Sequence, residues 1–137
     1  MDFSDNYPVS KTSDISTYES CASISENVGN LLFYTNGSTV WNKSNDVMFN
    51  GNDLEIGSMT DLGSSIVQGT LILPNPAEIN NYFIFQIQSG SSQGLKYTIV
   101  EINKDDEYGS VIDKNISLYT DEVTEMMQAV RHGNGQD

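Results

Sequence analysis

The sequence is short of cysteine, histidine, proline and basic residues. Its 137 residues include one Cys, one His, three Pro and six Lys or Arg, against 19 Asp or Glu, for a formal net charge of −13. A single cysteine excludes an internal disulfide and a multi-thiolate zinc site. Because like charges repel, the acidic balance argues against partners such as nucleic acids and anionic membrane surfaces.

Long apolar runs are also missing. No stretch approaches the roughly 20 apolar residues that span a bilayer. The start, Met1–Asp5, lacks the basic residues and apolar run of a secretory signal peptide. We therefore expect no membrane insertion. Hydrophobic residues still make up 37% of the chain, which suits one folded domain.

Short runs rich in β-branched and aromatic residues, separated by Asn, Gly, Ser and Asp, predict an all-β fold. The predicted strands are Ala22–Glu26, Leu31–Asn36, Thr39–Lys43, Ile66–Pro74, Tyr82–Gln88, Leu95–Asn103, Val111–Tyr119 and a last one near Met127–His132. The gaps between them are short, so we expect an antiparallel meander rather than parallel crossovers. Tight hairpin turns are predicted at Val28–Asn30 and Asn36–Ser38.

Two segments do not follow the strand pattern. Ser44–Ser65 is rich in Asn, Asp and Gly with little periodicity, which predicts a long surface loop. Acidic residues open the stretch Asp121–Gln128, which leaves a short helical turn there as an alternative to strand.

A pattern of strand, turn and aromatic strand recurs along the chain. It starts at Ala22, at Leu71 and again at Ala129, a spacing near the length of a propeller blade. We therefore predict one β-rich unit forming a partial β-propeller. Blade one covers about 20–60, blade two about 64–120, and the start of blade three about 126–137. A small β-sandwich is the alternative.

Four groups of residues resemble the N-terminal region of a family of large surface proteins. They are Cys21–Val47, Ile72–Pro74 with Tyr82–Phe85, Gly94–Tyr97, and Ala129–Gly135. The family comprises Bacteroidetes gliding-motility-associated proteins with a C-terminal type B sorting domain for type IX secretion. The resemblance implies a propeller-like fragment of a longer polypeptide, with other blades or domains as partners and an extracellular or cell-surface location. It supplies no catalytic residues.

The sequence holds no constellation typical of an enzyme. His132 has no nucleophile or carboxylate motif beside it, which indicates a polar residue near a strand end or turn. Cys21 has no basic neighbour and is predicted to be a small buried hydrophobe. We expect a non-enzymatic structural or recognition module, associated with gliding or adhesion.

A glycan-binding or glycan-hydrolysing propeller is the alternative function. Hydrolysis would require two convergent carboxylates, whereas Glu26 and Glu101 lie at the ends of separate predicted strands. For recognition, Tyr34 and Trp41 could stack on a sugar ring while Asn36 and Asn42 supply hydrogen bonds. Packing of these aromatic rings inside the fold is the competing interpretation.

One turn offers oxygen ligands suited to Ca²⁺. It contains Asn103, Asp105, Asp106 and Glu107. Its glycine comes one position too late for an EF-hand, so a solvated turn is favoured and no cofactor is otherwise predicted. A second acidic group, Asp46, Asp53, Glu55 and Asp61, matches no defined calcium motif. Besides other domains of the same polypeptide, we expect a surface glycan or protein as a binding partner of this chain.

Overall fold

The computed structural model describes residue 7 and residues 9–57, 59–60, 63–88, 94–103, 105–106 and 108–134. These residues form nine β-strands and no helix. The strands are β1 (Ala22–Ser25), β2 (Leu31–Thr35), β3 (Val40–Asn42), β4 (Met59–Thr60), β5 (Gly63–Ser64), β6 (Thr70–Pro74), β7 (Asn81–Gln88), β8 (Gly94–Glu101) and β9 (Ser110–Tyr119).

The strands form two antiparallel meanders and one short hairpin. The first sheet has the order β1-β2-β3, the second β6-β7-β8-β9, and β4 pairs with β5. The prediction of an all-β antiparallel meander is confirmed. The two sheets share one core, which is a sandwich-like arrangement; the division into propeller blades stays a prediction.

Turn chemistry explains the first two hairpins. Gly29 (φ 94°) lies in the β1–β2 turn and Gly37 (φ 87°) in the β2–β3 turn, both in the left-handed region that glycine tolerates. A Cβ added at Gly37 would approach Ile56 Cδ1 and Thr70 Oγ1 to 2.5 Å. The Asn36–Gly37 turn is therefore constrained by its backbone angle and by close packing.

Alternation along the strands sends apolar side chains from both sheets into one core. The first sheet contributes Phe33 and Val40 to this core. The second sheet contributes Ile72, Ile84 and Val100. Phe33 and Ile84 are completely buried. The Phe33 ring meets the Tyr82 ring edge to face at 5.5 Å between centroids, so the aromatic contact crosses between the sheets.

The segment between β3 and β4 joins the two sheets at one side. Val47 bridges to Trp41 of β3, and Phe49 forms a parallel bridge to Ser110 of β9. Met48 and Leu54 from this segment enter the core. The prediction of a surface loop over Ser44–Ser65 is wrong for this part. Its Asn and Gly residues set the path of a chain that pairs with both sheets.

The opposite side is joined by a polar contact. β1 lies beside β6, and the Ser20 hydroxyl donates to Thr70 Oγ1 (3.0 Å) with both residues buried. A polar layer continues inward, where Thr98 Oγ1 donates to Gln86 Oε1 (3.1 Å). The space between the sheets is thus apolar through most of its length and polar at this end.

The last described residues form neither strand nor helix. The strand predicted near Met127–His132 is absent, and so is the alternative helical turn over Asp121–Gln128. Instead, Val123 and Met127 pack against a small cluster around Ile87, and the Met127 N–H donates to the Gln68 carbonyl (3.2 Å). Apolar packing, rather than sheet pairing, fixes this stretch. The final residues of the predicted third blade, 135–137, lie outside the described residues.

Candidate functional site

An N-terminal segment, residues 11–20, covers the outer face of the three-stranded sheet. Two hydrogen bonds hold it there. Asn36 Nδ2 donates to the Ser16 carbonyl oxygen (2.9 Å), and the Asp14 N–H donates to the Tyr34 hydroxyl (3.2 Å). The segment and the sheet enclose a space between them, which we call the N-terminal cavity.

The N-terminal cavity has a volume of about 410 Å³. Its walls are formed by Lys11, Thr12, Ser13, Ile15, Cys21, Ala22, Ser23, Ser25, Gly29, Leu31, Tyr34 and Asn45. In β1, Ser23 and Ser25 alternate with Ala22 and Ile24, which pack against the core. Alternation places Ser23 on the cavity side, and Ser25 lines the cavity beyond a bulge between Ile24 and Ser25. The volume lies in the range typical of small-ligand pockets.

The lining of the N-terminal cavity differs in charge from the rest of the molecule. The whole sequence has 19 acidic residues and six basic ones. Among the described residues, the cavity walls include Lys11 and no Asp or Glu, although Asp14 lies between the lining residues Ser13 and Ile15. Their other polar side chains are hydroxyls and the Asn45 amide, which donate and accept hydrogen bonds. The described walls of the cavity are therefore rich in hydroxyl groups.

Tyr34 makes defined contacts through both its hydroxyl and its ring. Its hydroxyl donates to Asn45 Oδ1 (2.9 Å) while accepting the hydrogen bond from Asp14. Its ring stacks on Trp41, with 5.5 Å between centroids and 10° between planes. The two residues are directly opposite in the β2–β3 pair, which brings the rings together. Two hydrogen bonds therefore position the Tyr34 hydroxyl, and stacking on Trp41 positions its ring.

The four predicted glycan ligands do not converge on one site. Tyr34 lines the cavity, but Trp41 is only 9% exposed and stacks on Tyr34. Asn36 Oδ1 accepts hydrogen bonds from the Ser38 and Thr39 N–H groups. Three of the four predicted ligands, Tyr34, Trp41 and Asn36, thus make contacts with other parts of the fold.

Asn42, the fourth predicted ligand, has the same kind of role in the next turn. Its Oδ1 accepts hydrogen bonds from the N–H groups of Ser44 (2.8 Å) and Asp46 (3.2 Å). Sequence reasoning found Tyr34 but missed the other cavity residues. The outward position of Ser23 follows from strand alternation, whereas Ser25 lies beyond a bulge and the N-terminal segment has no periodic pattern to place it.

The single cysteine, Cys21, and the single histidine, His132, are both exposed. Cys21 is exposed and lines the N-terminal cavity, so the prediction of a buried cysteine is wrong. Cys21 lies between the buried Ser20 and the first residue of β1, Ala22. His132 is exposed in the last described stretch, which contains no strand.

A second cavity, of about 590 Å³, lies where the sheets meet near the start of β7. Glu26, Lys43, Tyr82 and Asn103 are among its lining residues. Burial raises the pKa of the Tyr82 hydroxyl above its ordinary value of 10.0, and the nearby charge of Glu26 raises it further. Both effects disfavour the phenolate.

The predicted calcium turn is organised by its own hydrogen bonds. Asn103 Oδ1 accepts from the N–H groups of Asp105 (3.0 Å) and Asp106 (2.8 Å), and Asp106 Oδ1 accepts from that of Tyr108 (3.3 Å). Glu107 lies outside the described residues. Across the described part of the chain, no three His, Cys, Asp or Glu side chains come together as a metal site. A calcium site here stays a prediction.

The outer face of the four-stranded sheet is apolar. Register places Leu71, Phe85 and Tyr97 in one row and Leu73, Phe83 and Ile99 in the next. Phe83 and Phe85 contact each other and the Tyr97 ring, with centroid separations of 5.7 to 6.3 Å. All six side chains are half-buried. We call this set the apolar face.

Polar contacts fasten the connecting segment to the four-stranded sheet. Lys96 forms an ion pair with Glu55. Asn115 Nδ2 donates to the Asp53 carbonyl (3.0 Å), and its Oδ1 accepts from the Glu55 N–H (2.7 Å). The hydrogen bond from Lys96 lowers the pKa of Glu55 below its ordinary value of 4.5, although burial partly opposes it. Carboxylate charge therefore contributes to this attachment.

Comparisons with protein-family models, with curated proteins and with solved structures found no match to this chain. In the described residues, no helix has the length and apolar character needed to cross a membrane.

Proposed function

We propose that the chain is a non-enzymatic structural or recognition module of an exported, multidomain surface or secreted protein associated with gliding or adhesion. The observation that carries this proposal is the apolar face. Sheets pack face to face at about 10 Å through interdigitating side chains, and this face presents two apolar rows in regular register. Soluble proteins rarely leave a large contiguous apolar patch to solvent.

The occupant we propose for the apolar face is another β-rich unit of the same longer polypeptide. A second identical copy is disfavoured because each chain carries a net charge of −13. Register also places Glu101 and Asp113 on the same side of the sheet as Phe83 and Ile99. A docking surface with Lys or Arg around an apolar centre would complement these carboxylates.

Recognition is favoured over hydrolysis by the chemistry of the two cavities. Glycoside hydrolysis generally employs two carboxyl groups on either side of the bond that breaks. Among the described residues that line the two cavities, the only carboxylate is that of Glu26, in the second cavity. Neither described lining brings two carboxyl groups together, which supports binding rather than hydrolysis.

Binding of a hydrophobic dye tests whether the apolar face is a docking surface. We expect the chain to enhance anilinonaphthalene sulfonate fluorescence, and Phe85→Thr to reduce the enhancement about twofold. Threonine keeps the strand propensity. Phe49→Thr is the matched control, because Phe49 is 79% exposed and lies outside this face. Equal loss in both variants, or no enhancement, would contradict the proposal.

Protease treatment of intact cells tests the location. Peptides from this chain should be released from intact cells that express the natural gene, before a cytoplasmic marker appears. Release only after lysis would overturn the assignment to the surface. Incubation with glycans should give no reducing ends; hydrolysis that is lost in Glu26→Gln would instead establish the enzymatic alternative.

A further inference from the structure

We propose that residues 120–134, the segment after β9, form a replaceable cover of the four-stranded sheet, which we call the C-terminal strap. The partner that docks on the apolar face displaces the strap and thereby contacts a third row of side chains, Ile87 and Leu95. This inference rests on the proposed docking function of the apolar face. It adds the extent of that interface and the segment that regulates access to it.

The third row continues the apolar face without a break. Pairing between β7 and β8 keeps one register along the whole of β7. Because side chains alternate along a strand, Ile87 lies on the same side of the sheet as Phe85. Leu95, which is opposite Ile87, lies on the same side as Tyr97. The apolar surface of this sheet therefore extends one row beyond Phe85 and Tyr97.

The strap lies against this third row. Val123 and Met127 of the strap pack against the small cluster around Ile87, and so does Leu95. Ile87 is only 2% exposed, whereas Phe85, two residues earlier on the same side of β7, is half-buried. The two positions thus differ in what packs over them. The strap shows that this end of the face accepts apolar side chains from a segment outside the sheet.

The attachment of the strap is slight compared with that of a strand. Within 120–134, Val123 and Met127 are half-buried and the other residues are exposed, including Met126 at 57% and Val130 at 82%. This stretch contains no strand, and the Met127 N–H donates to the Gln68 carbonyl (3.2 Å). Segments with few buried contacts open at a lower free energy than core strands. The strap can therefore leave while the sheet stays folded.

Charge favours a basic partner over the strap. The strap carries three acidic residues, Asp121, Glu122 and Glu125, and one basic residue, Arg131, in a chain of net charge −13. Like charges repel, so an acidic segment is a poor permanent cover for an acidic protein. A partner with Lys or Arg around an apolar centre fills the same apolar row and adds complementary charge.

The experiment compares Met127→Gln with the unmodified full chain. Anilinonaphthalene sulfonate fluorescence reports the exposed apolar area, and hydrogen exchange followed by mass spectrometry reports opening of the strap. Met127→Gln should speed exchange of the strap amides about tenfold and raise the dye enhancement about twofold. Met126→Gln is the matched control, because it makes the same chemical change at an exposed neighbour. It should leave both measurements unchanged.

The unmodified chain provides a second measurement. Coupling between two binding events is reciprocal, so a dye that binds better when the strap is open must itself favour the open strap. Saturating dye should therefore speed exchange of the strap amides, and Phe85→Thr should reduce this acceleration. If Met127→Gln does not fold, Val123→Thr removes the other apolar contact with a side chain of similar shape and replaces it in both measurements.

The outcomes separate this inference from the docking function. Suppose that the dye binds and Phe85→Thr weakens its signal, but opening the strap adds no signal or the dye leaves strap exchange unchanged. The strap proposal then fails and the apolar face remains a docking surface. A full chain that binds no dye overturns both. Equal effects of Met126→Gln and Met127→Gln also overturn the strap proposal, because they would show that packing against Ile87 does not hold the strap.

Discussion

The outer faces of the two sheets both carry aromatic residues, yet those of the three-stranded sheet are more deeply buried than those of the four-stranded sheet. On the three-stranded sheet, Tyr34 is 5% exposed and its hydroxyl accepts a hydrogen bond from Asp14, while Trp41, which stacks on Tyr34, is 9% exposed. On the four-stranded sheet, Phe83, Phe85 and Tyr97 are only half-buried. The pattern within a strand therefore says which side chains point outward, and the rest of the chain decides whether water reaches them.

The core shared by both sheets should give the largest effect. Phe33→Ala removes a fully buried ring that contacts Tyr82 across the sheets. We expect the free energy of unfolding to fall by about 3–5 kcal/mol, measured by urea denaturation. Phe49→Ala is the matched control. Phe49 is 79% exposed, so this change should cost less than about 0.5 kcal/mol. Similar losses in both variants would show that the two sheets do not depend on a common core.

Removing one phenolic hydroxyl from each outer face tests the comparison directly. Tyr34→Phe loses the hydrogen bonds with Asp14 and Asn45, so we expect unfolding free energy to fall by about 1 kcal/mol. Tyr97→Phe should change it by less than about 0.5 kcal/mol, because Tyr97 contributes ring contacts to the apolar face. Thermal and urea unfolding provide the measurement. Equal effects would mean that the N-terminal segment does not fasten to Tyr34.

The smallest expected effect is the contribution of the Glu55–Lys96 ion pair, which fastens the connecting segment to the four-stranded sheet, to the pH dependence of stability. The pKa of Glu55 is lowered in the folded state, so its contribution is present above about pH 4.5 and lost as the pH falls through the folded pKa. We expect less than about 1 kcal/mol, because 54% of the Glu55 side chain is exposed and solvent screens the pair. Lys96→Met should flatten the acid side of the stability profile, measured by urea unfolding from pH 3 to 7.

Lys114→Met is the control for this acid profile. Lys114 donates to the carbonyl oxygens of Asn50 and Asn52 rather than to a carboxylate. Its loss should lower stability without changing the slope below pH 4.5. The same slope in Lys96→Met and the unmodified chain would show that the Glu55 ion pair contributes nothing in solution.

Local patterns predicted most strands, but they failed where distant contacts set the structure. Runs of β-branched and aromatic residues with short gaps predicted both meanders, and the Asn36–Gly37 turn predicted the β2–β3 hairpin of the first. Ser44–Ser65 was predicted to lie on the surface because it lacks periodicity, yet Met48 and Leu54 enter the core. The predicted strand near Met127–His132 has no partner, since Met127 packs on the Ile87 cluster instead.

The candidate site divides in the same way. Tyr34 was predicted as a ligand, and it does line the N-terminal cavity. Asn36 was predicted for the same role, but its oxygen holds a turn and its nitrogen holds Ser16. The sequence shows that Asn36 carries an amide, but only the fold determines which atoms this amide bonds to. No local signal indicated that residues 11–15 would form the other wall.

The sequence by itself determined the all-β class and the antiparallel meanders, because strand period and turn chemistry act over a few residues. Tertiary structure decided that the connecting segment joins β3 to β9, that the N-terminal segment lies on one face, and that a cavity forms between this segment and the sheet. These features depend on contacts between residues far apart along the chain: burial of Met48 and Leu54 in the core for the connecting segment, and hydrogen bonds to Tyr34 and Asn36 for the N-terminal segment.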